Sequence, residues 1–163
     1  MDDLSIADGS VVADLGAAPG WFAVRLAPRV GPNGTIYAED IQPAMIEVIR
    51  RRIQNERLQN VIPILGTPTD PRLPNGIDAA LIVDTYPEID DPVTLLKNVA
   101  AVLKPQGRIG IVDFNPGSGG PGPDRTEERV APEKVIQAAS AAGLRLIANE
   151  PAGPFQFLLI FKN

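Results

Sequence analysis

The sequence predicts an α/β fold in which a parallel sheet carries helices on both faces. Short apolar runs typical of strands recur along the chain, and amphipathic helical segments alternate with most of them. At residues 11–20, an apolar β-branched run ends in an acid and then a Gly-Ala-Ala-Pro-Gly turn. Because a glycine turn between a strand and a helix lets a ligand lie against the backbone, this segment indicates a nucleotide-like ligand.

The predicted strands are short runs rich in β-branched and aromatic residues, which favour a pleated and half-buried backbone. They lie at residues 11–15, 35–39, 61–65, 79–83, 109–114, 145–148 and 155–161.

Four helices are predicted from the residues at their ends. One follows the glycine turn directly, and a second starts at Pro43, because proline suits the first helical position. The pair Asp91-Pro92 predicts a third start, an N-cap followed by proline. The fourth spans residues 132–142 and ends at Gly143, a typical C-cap.

Two segments are expected to form loops. Residues 63–76 contain too many prolines for an ordinary crossover helix, so a loop or a single turn is expected there. In residues 115–124, seven of ten residues are Gly or Pro, which predicts a mobile loop after a strand's carboxyl end. A substrate lid and a loop without a role are both open interpretations of that segment.

Composition excludes several function classes. The chain suits one domain, residues 1–163, and 15 basic against 20 acidic residues give a net charge of −5, which argues against nucleic acid as a partner. Arg50, Arg51 and Arg52 are expected on a solvated helix face. The absence of cysteine and histidine excludes thiol nucleophiles, Cys- or His-based zinc sites and histidine bases, and no metal site is predicted.

The chain is also expected to be a cytoplasmic protein without a membrane segment. No apolar run reaches the ~18 residues of a membrane span. The first residues, MDDLSIADG, are acidic, whereas a secretory signal would be basic and then apolar.

The spacing of the glycine turn separates two classes of ligand. A dinucleotide fingerprint, G-x-G-x-x-G, would need glycine at Ala18 and at Trp21, so NAD and FAD are disfavoured. The pattern acid-Leu-Gly-x-x-x-Gly instead resembles the first motif of class I S-adenosylmethionine-dependent methyltransferases, commonly D-x-G-x-G-x-G. In this chain Ala18 occupies the position of the middle glycine.

The resemblance continues along nearly the entire chain. IYAEDIQPAM, at residues 36–45, is similar to the family's second strand, whose terminal acid binds both ribose hydroxyls. Asp40 aligns best with that acid, and Glu39 is the alternative. Residues 77–114 are similar to the fourth strand, helix and fifth strand of the small-molecule branch, where LKPQGR replaces the common LKPGGR and Gly107 still supports a turn.

This resemblance implies a three-layer Rossmann-like sandwich with a seven-stranded, mainly parallel sheet in order 3-2-1-4-5-7-6, the last strand antiparallel. S-adenosylmethionine would lie across the carboxyl ends of strands one, two and four. The loop after strand three, from Thr67, would approach the adenine edge. The implied cofactor residues are Asp14, Gly16, Ala18 and Gly20 around the methionine part, and Asp40 and Ile41 around the adenosine.

The implied activity is methyl transfer to a small-molecule acceptor, in which the enzyme mainly aligns the reactants. A base is needed only if the acceptor must lose a proton, and Asp84 is the first candidate, followed by Tyr86 and Glu88. Family members often carry histidine where this chain has Pro87.

Two alternatives stay open beside this activity. One is a module that binds S-adenosylmethionine without catalysis, favoured by Ala18, by Pro87 and by the ten residues before Val11, too few for the family's lid helices. A longer natural chain, an open site or a second subunit of a homo-oligomer would account for the missing lid. The other is an RNA 2′-O-methyltransferase, disfavoured because its catalytic lysine lies upstream of the glycine turn and Lys97 is the first lysine here.

Overall fold

A computed structural model describes residues 4–117, 119–125 and 128–163, whose strands form one seven-stranded sheet. The strand order is β3-β2-β1-β4-β5-β7-β6; β1 to β5 pair in parallel, and β7 is antiparallel to β5 and β6. The predicted order and the antiparallel last strand are therefore confirmed. The strands are β1 Val11–Leu15, β2 Thr35–Asp40, β3 Val61–Leu65, β4 Ile77–Val83, β5 Leu103–Phe114, β6 Arg145–Ala152 and β7 Gln156–Lys162.

The helices begin where the sequence places proline or the glycine turn. The last three helices each have proline in the first turn, and the Asp91 side chain caps the third by accepting a 3.0 Å bond from the Thr94 amide. A 3₁₀ turn, Tyr86–Glu88, follows β4. The helices are α1 Trp21–Val30, α2 Pro43–Asn55, α3 Pro92–Val102 and α4 Pro132–Ala141.

Side chains that alternate along the strands supply two apolar cores, one on each face of the sheet. In β1, Val12 packs with α1 and α2, while Ala13 packs with α3 and α4. The sheet is therefore covered on both faces, and the carboxyl ends of its parallel strands are the edge left for a site.

The start of β5 differs from the prediction. The strand begins at Leu103, and its pairing with β4 shifts register between the pairs Ile77–Leu103 and Ala79–Arg108. The predicted turn at Gly107 is therefore a bulge within the strand. A Cβ on Gly107 would lie 2.9 Å from the carbonyl oxygen of Ile77, so glycine is needed there for close approach of the two backbones.

The first predicted loop begins later than expected, because β3 continues to Leu65; from there to residue 76, and in the described residues of the second loop, the chain lacks helix and strand. No helix forms between β3 and β4, as expected. The loop at 115–124 is described except at residue 118, and its described part is arranged around the guanidinium of Arg129. That group donates to the carbonyl oxygens of Asn115, Gly119 and Pro123 and lies 5.4 Å from the centre of the Phe114 ring. The mobility of this loop stays a prediction.

Within the ranges that the structure describes, no helix has the length and apolar character needed to cross a bilayer.

The packing of α3 predicts a stability difference between two neighbouring residues. Leu96 is fully buried, so Leu96→Ala should lower the free energy of unfolding by about 2–5 kcal/mol. Lys97 is exposed on the same helix, and Lys97→Ala should change it by about 0.5 kcal/mol or less. Denaturant unfolding monitored by circular dichroism measures both; equal losses would contradict this orientation of α3.

Candidate active site

A cavity of about 370 Å³ opens at the carboxyl ends of β1, β2 and β4. Parallel strands end at the same edge of a sheet, so the residues that follow each strand meet there. The structure brings together all but two of the site residues predicted from the sequence. Those that line the cavity are Asp14, Gly16, Ala18, Asp40, Ile41, Thr67, Asp84 and Glu88.

The turn between β1 and α1 uses left-handed backbone at three alternate positions. Gly16 and Gly20 have φ of 66° and 76°, a conformation that glycine adopts without steric cost. Ala18 has φ of 44°, which costs a residue with a Cβ about 1 kcal/mol. The structure thus gives a physical reason for the common glycine at the position of Ala18.

Two acids at the end of β2 accept hydrogen bonds from this turn. The Glu39 carboxylate accepts a 3.4 Å bond from the Gly16 amide, and Asp40 Oδ2 accepts a 3.0 Å bond from the Ala18 amide. Asp40 Oδ1 also accepts a 2.9 Å bond from the Gln42 amide. Because each carboxylate oxygen has two lone pairs, both acids can still accept bonds from ligand hydroxyl groups.

The wall of the cavity is acidic. Asp14 is 2% exposed, its Oδ2 has no hydrogen-bond partner among the described residues, and burial raises its pKa to about 7. Burial also raises the pKa of Glu39 to about 7, with smaller contributions from the charges of Asp40 and Asp14. No lysine or arginine lines the cavity among the described residues. A cation bound here would meet carboxylates that have no other counter-ion on the wall.

Thr85 joins the end of β4 to the glycine turn. Its hydroxyl donates a 2.9 Å bond to the carbonyl of Val83 and lies 3.4 Å from that of Gly16. A Cβ on Gly16 would overlap the Thr85 methyl group. Glycine is therefore needed at position 16 for two reasons: the backbone has a positive φ, and the Thr85 side chain packs closely against it.

Asp84 lies at the end of β4 with a left-handed backbone, φ 53°. Its carboxylate Oδ1 accepts a 2.5 Å bond from Nε2 of Gln156, the first residue of β7. Burial raises the pKa of Asp84, and the bond from Gln156 opposes that rise. Glu88 and Asp90 also line the cavity.

Asp113 supports this end of the site from β5. It is 1% exposed and accepts bonds from the amides of Tyr86, at 3.2 Å, and Phe114, at 2.8 Å. Its pKa is raised to about 6, mainly by burial and also by the charges of Asp84 and Glu88. Asp113 was missed in the sequence analysis, although this acid lies at the end of an apolar run, as Asp14 and Asp40 do.

Two predicted site residues lie off the cavity wall. Tyr86 is 5% exposed in the core that α3 and α4 cover, and within the described part of the chain its hydroxyl has no hydrogen-bond partner. Burial raises the pKa of Tyr86 to about 12. Gly20 is the N-cap of α1, against the side chains of Arg52 and Ile49.

Several lining residues were missed because they only neighbour the motifs. Trp21 and Phe22 follow the glycine turn, and Ile89 and Leu95 follow the 3₁₀ turn. Trp21 is 58% exposed, and the guanidinium of Arg52 lies 4.4 Å from its ring centre. These apolar groups give the cavity a mixed wall, acidic at the strand ends and apolar around them.

Comparison with known proteins identifies relatives of one kind. Residues 12–107 match the family model described as a methyltransferase domain. The chain is 30% identical over 113 residues to a protein-L-isoaspartate O-methyltransferase of Methanothrix thermoacetophila, covering 68% of this chain and 50% of that protein. It is 31% identical over 112 residues to a 2-phytyl-1,4-naphtoquinone methyltransferase of Nostoc punctiforme, covering 66% and 47%. The chain thus spans about half the length of these curated relatives.

Solved structures agree with the topology. A SAM-dependent methyltransferase from Aquifex aeolicus superposes with a TM-score of 0.93 at 25% identity, covering 98% of this chain and 85% of that one. Aeropyrum pernix fibrillarin, solved with natively bound S-adenosyl-L-methionine, has the same fold, with a TM-score of 0.71 at 20% identity over 96% of this chain and 67% of that one.

The buried acids predict how stability depends on pH without ligand. The pKa values of Asp14 and Glu39 rise from 3.8 and 4.5 to about 7 on folding. Between those limits the folded protein binds more protons than the unfolded chain, so the free energy of unfolding should fall as pH rises from about 4 to about 7.

Denaturant unfolding across that pH range measures the effect, and Asp14→Asn should flatten the slope. Asp124→Asn, at an exposed loop position, controls for the loss of one negative charge. An unchanged slope in Asp14→Asn would show that the buried carboxyl is not its source.

Proposed function

The chain belongs to the class I S-adenosylmethionine-dependent methyltransferase family, and we propose that it transfers a methyl group from S-adenosylmethionine to a small-molecule acceptor. One observation carries the proposal: an acid-lined cavity lies across the carboxyl ends of β1, β2 and β4, at the glycine turn. The proposal also places the protein in the cytoplasm.

The residues present fit this cofactor. The unpartnered Asp14 Oδ2 and the lack of cations on the described wall suit a ligand with ammonium and sulfonium groups. Asp40, with Glu39 beside it, suits the ribose diol, and the apolar Ile41, 48% exposed, suits the adenine face. Gly16 and Ala18 would contact the methionine part and Thr67 the adenine edge. We propose no contact for the Gly20 backbone beyond closing the turn.

When bound, S-adenosylmethionine supplies a methyl group on a sulfonium, a leaving group that needs no acid. The chain's own contribution is alignment of the acceptor and, where required, removal of a proton. Asp84 is the proposed proton acceptor, because it ends β4 on the cavity wall, and Glu88 is the second candidate. Tyr86 is left out because its side chain packs in the core.

The acceptor is proposed to have an apolar body and no polyanionic character. Ile82, Val83, Ile89 and Leu95 line the same cavity as Asp84. Six carboxylates and no lysine or arginine among the described lining residues disfavour a nucleic-acid acceptor.

A second candidate function is binding of S-adenosylmethionine without turnover. The observation in its favour is Pro87, which occupies the 3₁₀ turn beside Asp84 and carries no group able to move a proton.

Calorimetric titration tests the cofactor assignment. S-adenosylmethionine and S-adenosylhomocysteine should bind, and NAD should not. Asp40→Ala should weaken S-adenosylmethionine binding about 10- to 100-fold, because a hydrogen bond to a charged group is worth about 1.5–3 kcal/mol. Glu47→Ala, at an exposed position of α2, is the matched control and should leave affinity unchanged. Equal affinity in Asp40→Ala would refute the ribose assignment, and preference for NAD would refute the proposal.

Turnover tests the catalytic assignment. With an acceptor that must lose a proton, Asp84→Asn should lower kcat about 10²- to 10⁴-fold and leave the affinity for S-adenosylmethionine unchanged. Formation of S-adenosylhomocysteine across a panel of amine, phenol and quinol acceptors measures it. A fully active Asp84→Asn variant would refute the role of Asp84, and cofactor binding without any product would favour the second candidate.

A further inference from the structure

We propose that Gln156 is a positioning residue that holds the Asp84 carboxylate on the wall of the cavity in which the acceptor is proposed to bind. Gln156 does not line the cavity itself, so it acts on the acceptor only through Asp84. The inference rests on the proposed function, since it gives the proposed proton acceptor its orienting partner.

The sheet topology brings the two residues together from distant parts of the chain. β7 runs antiparallel to β5 and pairs Gln156 with Phe114, the last residue of β5. The beginning of β7 therefore lies at the edge where β4 and β5 end. There the Gln156 amide donates its 2.5 Å bond to Asp84 Oδ1.

Asp84 is held at both its backbone and its side chain. Its amide donates a 3.0 Å bond to the carbonyl of Val112, and its left-handed φ of 53° is uncommon for a residue with a Cβ. Such strained positions cluster at functional sites. With Oδ1 bound by Gln156, Oδ2 accepts no bond within the described part of the chain and stays available to an acceptor's proton.

The groups around Asp84 explain why a neutral donor matters. Asp113, on β5, lies close enough for the charge of Asp84 to raise its pKa, and Glu88 lines the same cavity as Asp84; both are carboxylates. Arg129, a cation on the loop after β5, donates to loop carbonyl oxygens. Burial disfavours the charged form of Asp84, and the Gln156 amide favours it. Gln156 thus keeps the carboxylate in the form that can accept a proton.

A titration of the Asp84 carboxyl carbon by NMR tests this role without cofactor or turnover. Asp84→Asn assigns the resonance. Gln156→Met keeps the side chain's length and removes the donor, so the midpoint should move to higher pH. Gln156→Lys keeps a donor and adds positive charge, so the midpoint should move to lower pH. Gln137→Leu, at an exposed position of α4, is the control and should leave it unchanged.

Opposite shifts separate positioning from a purely structural tie between β4 and β7, which would not depend on the sign of the substituted group. Thermal unfolding checks that each variant is folded, and either Gln156 variant alone still tests the direction of its shift. A midpoint unchanged in a folded Gln156→Met or Gln156→Lys variant would overturn the proposal.

Turnover then separates this inference from the proposed function. If acceptors are methylated, the acidic limb of the pH profile of kcat/KM should move to higher pH in Gln156→Met, while calorimetry shows unchanged affinity for S-adenosylmethionine. If no acceptor is methylated but the NMR midpoints move as expected, the proposed function fails and the positioning of Asp84 stands. If methylation proceeds and the midpoints do not move, the positioning role fails alone.

Discussion

The site depends on hydrogen bonds between the acids that end β2 and the turn that leaves β1. Leu15 and Glu39 are paired in register, so the side chains of Glu39 and Asp40 come within reach of the turn amides. The Ala17 amide adds a 2.8 Å bond to the Glu39 carbonyl. These bonds fix a turn whose alternate left-handed residues would otherwise leave buried amides unsatisfied. The cavity keeps its shape because the end of β2 supplies hydrogen-bond acceptors to the turn that follows β1.

Two acids of the cavity wall, Asp14 and Glu39, limit the stability of the folded protein without ligand. A buried carboxylate without a cation is costly in its charged form, which is why burial raises the pKa of Asp14 and Glu39 to about 7. No arginine or lysine on the described wall offsets that cost, although the chain has 15 of them. Nearby, Arg52 lies over Trp21. A wall of this kind is poorly suited to an empty state and well suited to a cationic ligand.

Much of the fold could be predicted from local patterns, because the ends of strands and helices are marked by residues with a strong conformational preference. The span of β3 and the proline starts of α2, α3 and α4 follow this rule. Strand order cannot be derived from periodicity, and here it came from the resemblance to a family. The bulge at Gly107 was missed because glycine is needed there to avoid a clash with the backbone of Ile77, which is distant in sequence.

The candidate site divides in the same way. Asp14 and Asp40 lie at the ends of β1 and β2, and Gly16 directly follows β1, so strand ends predict their place. Tyr86 and Glu88 were chosen by residue type, yet the short turn between them sends one side chain into the core and the other to the cavity.

Gln156 carries no local signal at all, since its place follows only from the antiparallel register of β7 with β5. That register has a chemical consequence. The four parallel strands nearest the sheet centre each bring an acid to one edge, in Asp14, Asp40, Asp84 and Asp113. Backbone amides from their own edge satisfy Asp40 and Asp113. The Asp84 carboxylate instead accepts its hydrogen bond from Gln156 on β7, outside the parallel strands. Because β7 is antiparallel, its first residue lies at the edge where the parallel strands end. The reversal of β7 is therefore what lets the acid at the end of β4 differ in environment from its neighbours.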